Sequence, residues 1–145
     1  SSHDRIIPPS TTNGTIPIDN TPPQSSEGNG FGLTVNFKPT ATANLVYVKG
    51  DLYGSLASTN YMAWALFLGG SSSAITGGAI TGATTDLNPL SFWWQATTVS
   101  TATTTYDVRV GGNTGAGTFT LNGSSGAGLF GNTVASTLTV LEVQD

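Results

Sequence analysis

The sequence has no cysteine, one histidine (His3) and, among its 145 residues, only eight acidic and four basic residues. The absence of cysteine excludes disulfides and thiolate metal sites. Charged residues make up 8% of the chain, whereas they make up about 25% of an average soluble domain. Catalysis needs an acid, a base or a nucleophile held beside a partner, and these residue types are scarce here. We therefore predict a protein that is not an enzyme, with no catalytic residues and no cofactor.

The small number of basic residues also limits the partners of the chain. With four basic residues and a net charge of −4, the sequence offers no basic patch for nucleic acid. No apolar run approaches the roughly 20 residues needed to cross a bilayer, so no membrane insertion is predicted. Asp86 and Asn88 carry oxygen ligands but lack the repeated acidic pattern of a calcium loop, so no metal site is predicted.

What the chain has in abundance is glycine and small hydroxyl residues, with an apolar fraction of 37% that suffices for a core. Prolines crowd the start, at positions 8, 9, 17, 22 and 23. Proline lacks a backbone donor and fixes φ, so residues 1–30 are predicted to be an extended arm outside the packed domain. Residues 31–145 are predicted to form that domain.

Strand-like runs separated by turn residues recur through the second part of the chain. No segment has the 3.6-residue apolar period of a helix. Eight antiparallel strands of these lengths favour an all-β, eight-stranded jelly-roll sandwich with an extended N-terminal arm. The predicted strands are residues 31–37, 45–52, 61–68, 74–80, 90–97, 104–110, 118–121 and 136–143.

Two of these strands, residues 61–68 and 136–143, are apolar on both faces. A two-layer sandwich buries only one face of each sheet, so the second face needs another cover. A further copy of the chain would provide it, and the alternative is a loop or the N-terminal arm. The residues predicted to lie between copies are Met62, Trp64, Leu66, Leu138, Val140, Leu141 and Val143.

Two further groups of side chains are candidates for contacts. Tyr53, Trp93 and Trp94 could stack on sugar rings, although core packing is the more common use of tryptophan. Asp107 and Arg109 share one face of a predicted strand, which predicts an ion pair or a contact between copies.

Short Gly- and Thr-rich motifs follow one another along most of the chain. They are IPIDNTPPQSSEG at 16–28, FKPTATANL at 37–45, WALF at 64–67, TTTYDVRVGG at 103–112, LNGSSGAGLFG at 121–131 and STLTVLEV at 136–143. In their order and spacing they resemble a domain seen at the ends of bacteriophage fibre, spike and other virion-surface proteins. The resemblance runs from about Ile16 to the C-terminus.

The resemblance implies a jelly roll of the tumour-necrosis-factor or C1q kind, assembled as a homotrimer whose closing strand lines the threefold contact. It implies a structural protein of the virion surface, assembled in the host cytoplasm, that serves as a knob, spike or fibre tip for host attachment. Its expected partners are other virion proteins, bound through residues 1–30, and a host-surface glycan. The alternatives are a capsid decoration (cement) protein clamped by its N-terminal arm, and a secreted carbohydrate-binding module.

Overall fold

The computed structural model describes residues 1–82 and 86–144 of the chain, and its regular structure is almost entirely β-strand. Within these residues the one helical element is a 3-10 turn at Phe130–Asn132. None of them belongs to a helix with the length and hydropathy of a membrane span. The strands are β1 (Ser2–Ile6), β2 (Ser10–Thr12), β3 (Thr34–Phe37), β4 (Leu45–Leu56), β5 (Asn60–Leu68), β6 (Thr76–Gly82), β7 (Asn88–Thr97), β8 (Thr104–Gly112), β9 (Phe119–Leu121), β10 (Gly123–Ser124), β11 (Ala127–Gly128) and β12 (Ser136–Val143).

Six antiparallel strands form the first sheet around β4, which is the longest strand at 12 residues. On one edge of β4, β7 pairs with residues 45–54. On the other edge, β12 pairs with residues 45–51 and β9 with residues 54–56. Beyond these, β1 pairs with β12 and β2 pairs with β9. Across its width this sheet therefore runs β1-β12-β4-β7, and β9 and β2 extend it beside the last residues of β4.

The second sheet has four antiparallel strands in the order β3-β8-β5-β6. A small hairpin, β10 and β11, forms a ladder of its own and lies against β4 and β9 of the first sheet. Successive side chains of a strand point to opposite faces of its sheet, so each sheet has one face toward the other sheet and one face outward. The molecule is thus a sandwich-like, all-β protein.

The hydrophobic core lies between the two sheets. Within it the ring of Phe92 is stacked on the ring of Trp64, which is half-buried, with centroids 4.0 Å apart and planes 10° from parallel. Gly50 lies opposite Phe92 in the strand pair, and a Cβ added there would approach the Phe92 ring to 2.0 Å. This position of β4 therefore requires glycine. Other core residues are Val46, Val48, Leu138 and Val140 from the first sheet and Val35, Met62, Leu66 and Val108 from the second.

The all-β prediction is confirmed, and the eight predicted strands correspond to β3 through β9 and β12. The first of them begins at Thr34 rather than at residue 31. Phe31 and Gly32 have positive φ angles of 50° and 76°, which place them in a turn before the strand. Alternation of apolar and polar residues was therefore a reliable signal wherever a strand buries one face.

The prediction that residues 1–30 lie outside the packed domain is wrong, because β1 and β2 both belong to the first sheet. Pro8 and Pro9 lie between these two strands, where no ladder donor is needed. The segment is extended, as its prolines indicate, but its backbone pairs with β12 and β9. The division of the chain at residue 30 stays a prediction.

Residues 13–30, which we call the strap, run over the outward face of the second sheet. Thr15 forms a bridge to Gly112, Asn29 to Val110, and Gln24 to Ser73. Beneath the strap Ile16 is 2% exposed and packs in a small cluster with Ala63, Ala65 and Phe67. The second apolar face of β5 is therefore covered by the chain itself, which is the alternative that the sequence left open.

Candidate binding surface

The residues predicted to lie between copies are divided by the structure into two groups. Met62, Leu66, Leu138 and Val140 are 0% exposed in the single chain, and Trp64 is half-buried in its stack on Phe92. A side chain with no exposed surface gains no burial when copies meet. The prediction is therefore wrong for Met62, Leu66, Leu138 and Val140, which form the core, and Trp64 packs against that core.

Leu141 and Val143, the last two predicted contacts, are each 40% exposed. They lie near the end of β12 on the outward face of the first sheet, because Leu138 and Val140 face inward. In the strand register Leu141 is opposite Tyr47, which is in turn opposite Gln95. One outward row of this sheet therefore runs across three strands.

The neighbouring outward row carries Lys49 opposite Trp93. Trp93 is 64% exposed, an unusual state for so large an apolar side chain. We call the surface formed by Tyr47, Lys49, Trp93, Gln95, Leu141 and Val143 the aromatic face.

The aromatic face has a fixed internal geometry. The rings of Tyr47 and Trp93 meet edge to face, with centroids 6.3 Å apart and planes at 84°. The Lys49 ammonium lies 5.2 Å from the centroid of the Trp93 ring and 3.3 Å from an Asp51 carboxylate oxygen. The positive charge of Lys49 is thus balanced locally by a carboxylate and by the π-face of an indole. What the face presents to a partner is largely aromatic and aliphatic.

The three side chains predicted to stack on sugars do not form one site. Trp93 and Trp94 are successive residues of β7, so they point to opposite faces. The Trp94 ring lies 6.2 Å from the ring of Tyr106, which is buried. Tyr53 lies four residues beyond Lys49 on β4, about 13 Å along the strand. The neighbour of Trp93 is instead Tyr47, which sequence reasoning missed because the pairing register of β4 with β7 cannot be read from either strand alone.

No candidate metal centre lies in the described part of the chain, where no three His, Asp or Glu side chains come together. Asn88 donates a hydrogen bond from its amide to the backbone oxygen of Asp86, at 3.0 Å. That contact lies at the start of β7.

Glu142 fastens a loop beside the aromatic face. Its carboxylate accepts hydrogen bonds from the Asn44 side-chain amide at 2.8 Å, from the Thr40 backbone amide at 2.9 Å and from the Thr40 hydroxyl at 3.0 Å. The hydrogen bond from the Asn44 amide is the main cause of the lowered pKa of Glu142. Burial acts in the opposite direction and raises this pKa, whereas the hydrogen bonds from Thr40 lower it further. The lowered pKa means that the folded state favours the ionised carboxylate.

This contact predicts a dependence of stability on pH. A carboxyl group whose pKa is lowered by folding stabilises the protein above its unfolded-state pKa, and this contribution is lost as pH falls through the folded-state pKa. We expect the melting temperature to fall as the pH is lowered through the acid range, and to fall less for Glu142→Gln. Scanning calorimetry across that range checks this. Superimposable pH profiles of the wild type and Glu142→Gln would show that the contact has no influence on folding.

A scan against protein-family models finds no match for this chain, and a search of curated proteins finds no similar sequence. Function is therefore inferred from the motifs of the sequence and from the geometry of the aromatic face.

Proposed function

We propose that this chain is a structural protein of a bacteriophage virion surface, a homotrimer whose copies meet through the aromatic face. The observation that carries the proposal is the exposure of Trp93 at 64% and of Leu141 and Val143 at 40% each on one outward sheet face. Tyrosine and tryptophan are enriched in the buried centres of protein interfaces. A contiguous apolar patch on a small protein marks an interaction site.

The strand order supports the jelly-roll part of the proposal. A jelly roll has eight strands in two sheets, built from two Greek keys. Here β1, β12, β4 and β7 pack against β3, β8, β5 and β6. The chain passes repeatedly from one set to the other, for example from β3 to β4 and from β4 to β5. The hairpin β10–β11 and the short strands β2 and β9 are additions to this plan.

The position of the aromatic face supports its role in assembly. The resemblance to virion-surface domains implies a threefold contact lined by the closing strand and its neighbours. Leu141 and Val143 belong to the closing strand β12, and Tyr47 belongs to its neighbour β4. The number of copies comes from the resemblance, whereas the residues that meet are proposed from the exposed face.

The energetics of association are compatible with this contact. If several hundred Å² of apolar surface per chain is buried, the gain at about 25 cal/mol per Å² is about 5–10 kcal/mol. The cost of lost translational and rotational freedom is about 4–15 kcal/mol, so such a contact can hold copies together but area alone does not set its affinity.

Among the roles on a virion, the structure favours a host-facing knob, spike or fibre tip over a decoration protein clamped by residues 1–30. That segment is engaged within its own chain, through β1, β2 and the strap. A secreted carbohydrate-binding module remains the alternative of a different class. Immunogold electron microscopy of intact phage particles tests the role: label on the outside of the particle supports it, and particles free of label contradict it.

One substitution tests the proposed contact directly. In Leu141→Arg each copy brings a charge into the centre of the aromatic face, where it is desolvated and repelled by the other copies. We expect this variant to sediment as a single chain. The matched control is Tyr61→Arg, because Tyr61 is 50% exposed but lies on β5 in the other sheet. A Leu141→Arg variant that sediments like the wild type would contradict the assignment of this face.

A further inference from the structure

A cavity of about 570 Å³ lies on the outward side of the second sheet, beneath the end of the strap. This volume is within the range of about 300–1,000 Å³ typical of small-molecule sites. Its walls include Ser25, Phe31, Ser72, Asp107 and Arg109. We call it the strap cavity. It faces away from the aromatic face, which belongs to the other sheet.

The strap holds the Arg109 guanidinium in place at this cavity. Its Nε donates to the backbone oxygen of Glu27 at 2.6 Å, and its Nη2 donates to that of Gly28 at 3.0 Å. These two bonds fix the guanidinium plane. No protein acceptor for Nη1 is found among residues 1–82 and 86–144, so this nitrogen is free to donate to a ligand.

Asp107 provides an acceptor beside this donor. It lies two residues before Arg109 on the same face of β8, about 6.6 Å along the strand. The two side chains form no ion pair, because within the described residues the one salt bridge joins Lys49 and Asp51. The predicted ion pair between Asp107 and Arg109 is therefore wrong, and the alternative, a contact between copies, stays a prediction. One carboxylate oxygen accepts the Thr34 hydroxyl, and the other has no protein partner in the described part of the chain.

Phe31 brings an aromatic ring to the same cavity at a conformational cost. Its φ of 50° is in the left-handed region, which a residue with a bulky side chain rarely adopts. The turn is held by the Leu33 amide donating to the Gly30 oxygen at 2.8 Å and by the Phe31 amide donating to Asn29 Oδ1 at 2.8 Å. The turn places Phe31 in the wall of the cavity, where its side chain also packs against the hydrophobic core.

Two glycines at the cavity, Gly32 and Gly70, border open space. A Cβ added at Gly32 or at Gly70 would meet no atom within 4 Å. Both glycines have positive φ angles, 76° and 80°, which favour glycine over residues with a side chain. The cavity, whose wall includes Phe31, Asp107 and Arg109, is therefore open to solvent beside these two glycines.

We propose that the strap cavity binds a neutral saccharide. A sugar ring presents an apolar C–H face that suits an aromatic ring, and neighbouring hydroxyls that both donate and accept hydrogen bonds. Phe31 supplies the ring, Asp107 the acceptor and Arg109 the donor, with the serine hydroxyls around them. The opposite charges of Asp107 and Arg109 leave the cavity without net charge, which disfavours an anionic ligand. This inference rests on the cavity alone and holds whether or not the chain is a virion protein.

Titration of the isotopically labelled full chain, followed by amide resonances in NMR, tests the proposal. The probes are glucose, galactose, mannose, N-acetylglucosamine and N-acetylgalactosamine, with N-acetylneuraminic acid as the anionic comparison. We expect at least one neutral sugar to shift the amides of Gly30, Gly32 and Gly70. Failure of every neutral sugar, or binding of the anionic sugar alone, overturns the proposal. So does a sugar that shifts the Trp93 indole resonance and leaves these glycines unmoved.

Two variants locate the bound sugar. Asp107→Asn removes the charged acceptor, and Ser72→Trp fills the cavity from an exposed loop residue. Each is expected to weaken binding by about tenfold or more. Thr101→Trp adds the same ring to a different exposed loop and should leave binding unchanged. Thermal melting verifies that each variant is folded. Undiminished binding by a folded Ser72→Trp chain contradicts the assignment of the cavity.

Discussion

A chain that lacks residues 1–28 is expected not to fold. The deletion removes β1 from the edge of β12 and β2 from the edge of β9, which leaves backbone groups of both strands unpaired. It also removes Ile16 from the cluster with Ala63, Ala65 and Phe67 and exposes that apolar surface. Losses of this kind add up to more than the marginal stability of a small domain. Circular dichroism and thermal melting of the truncated chain measure the effect.

A milder substitution distinguishes the contribution of the strap to stability from that of β1 and β2. Ile16→Ala is expected to cost about 2–4 kcal/mol, as for other buried isoleucines. Ile18→Ala is the matched control, because Ile18 is 46% exposed on the same strap. A truncated chain that melts cooperatively at the wild-type temperature would show that residues 1–28 are an independent arm.

The second large effect is expected in the hydrophobic core, at Phe92. Phe92→Ala removes a buried ring that stacks on Trp64 and covers Gly50, and so leaves a cavity in the core. Substitutions of this type cost about 3–5 kcal/mol. Denaturant unfolding measures the change in the free energy of unfolding. Both this variant and its control are best made in the Leu141→Arg chain, so that assembly does not contribute to the measured value.

The control is Trp93→Ala, one residue further along β7. Trp93 points outward and is 64% exposed, so its removal from the single chain is expected to cost less than about 1 kcal/mol. Adjacent aromatic residues should thus differ by several kcal/mol in the same background. Equal costs at the two positions would contradict the assignment of Phe92 to the inward face of β7 and of Trp93 to its outward face.

Strands that bury one face could be predicted from the sequence, and strands that depend on a neighbour could not. The alternation of apolar and polar residues marks β3 and β8 clearly. In β1 the residues SHDRI carry one apolar side chain, and the strand forms because the edge of β12 accepts its backbone. Backbone pairing of this kind does not require any particular order of apolar and polar side chains, so the sequence pattern does not reveal it. The prolines near it correctly indicated extended chain but said nothing of what that chain contacts.

The two strands that are apolar on both faces, β5 and β12, show the same limit of prediction from the sequence at the candidate site. The sequence correctly indicated that β5 needs a second cover, but the cover is Ile16 of the strap rather than another copy. In β12 the sequence placed Leu138 and Leu141 on opposite faces, which the structure bears out with exposures of 0% and 40%. Which of these two faces of β12 points outward depends on the position of the second sheet, which packs against the other face. The pairing of Tyr47 with Trp93 likewise depends on strand register, which is set by tertiary packing.

The mass of the wild-type chain in solution tests most directly whether copies meet through the aromatic face. Light scattering on the purified full chain at micromolar concentration gives this mass without labels or substitutions. The proposed assembly predicts three times the chain mass of 14.8 kDa. A particle with the mass of one chain under these conditions would contradict it, and would show that Trp93, Leu141 and Val143 remain exposed to solvent.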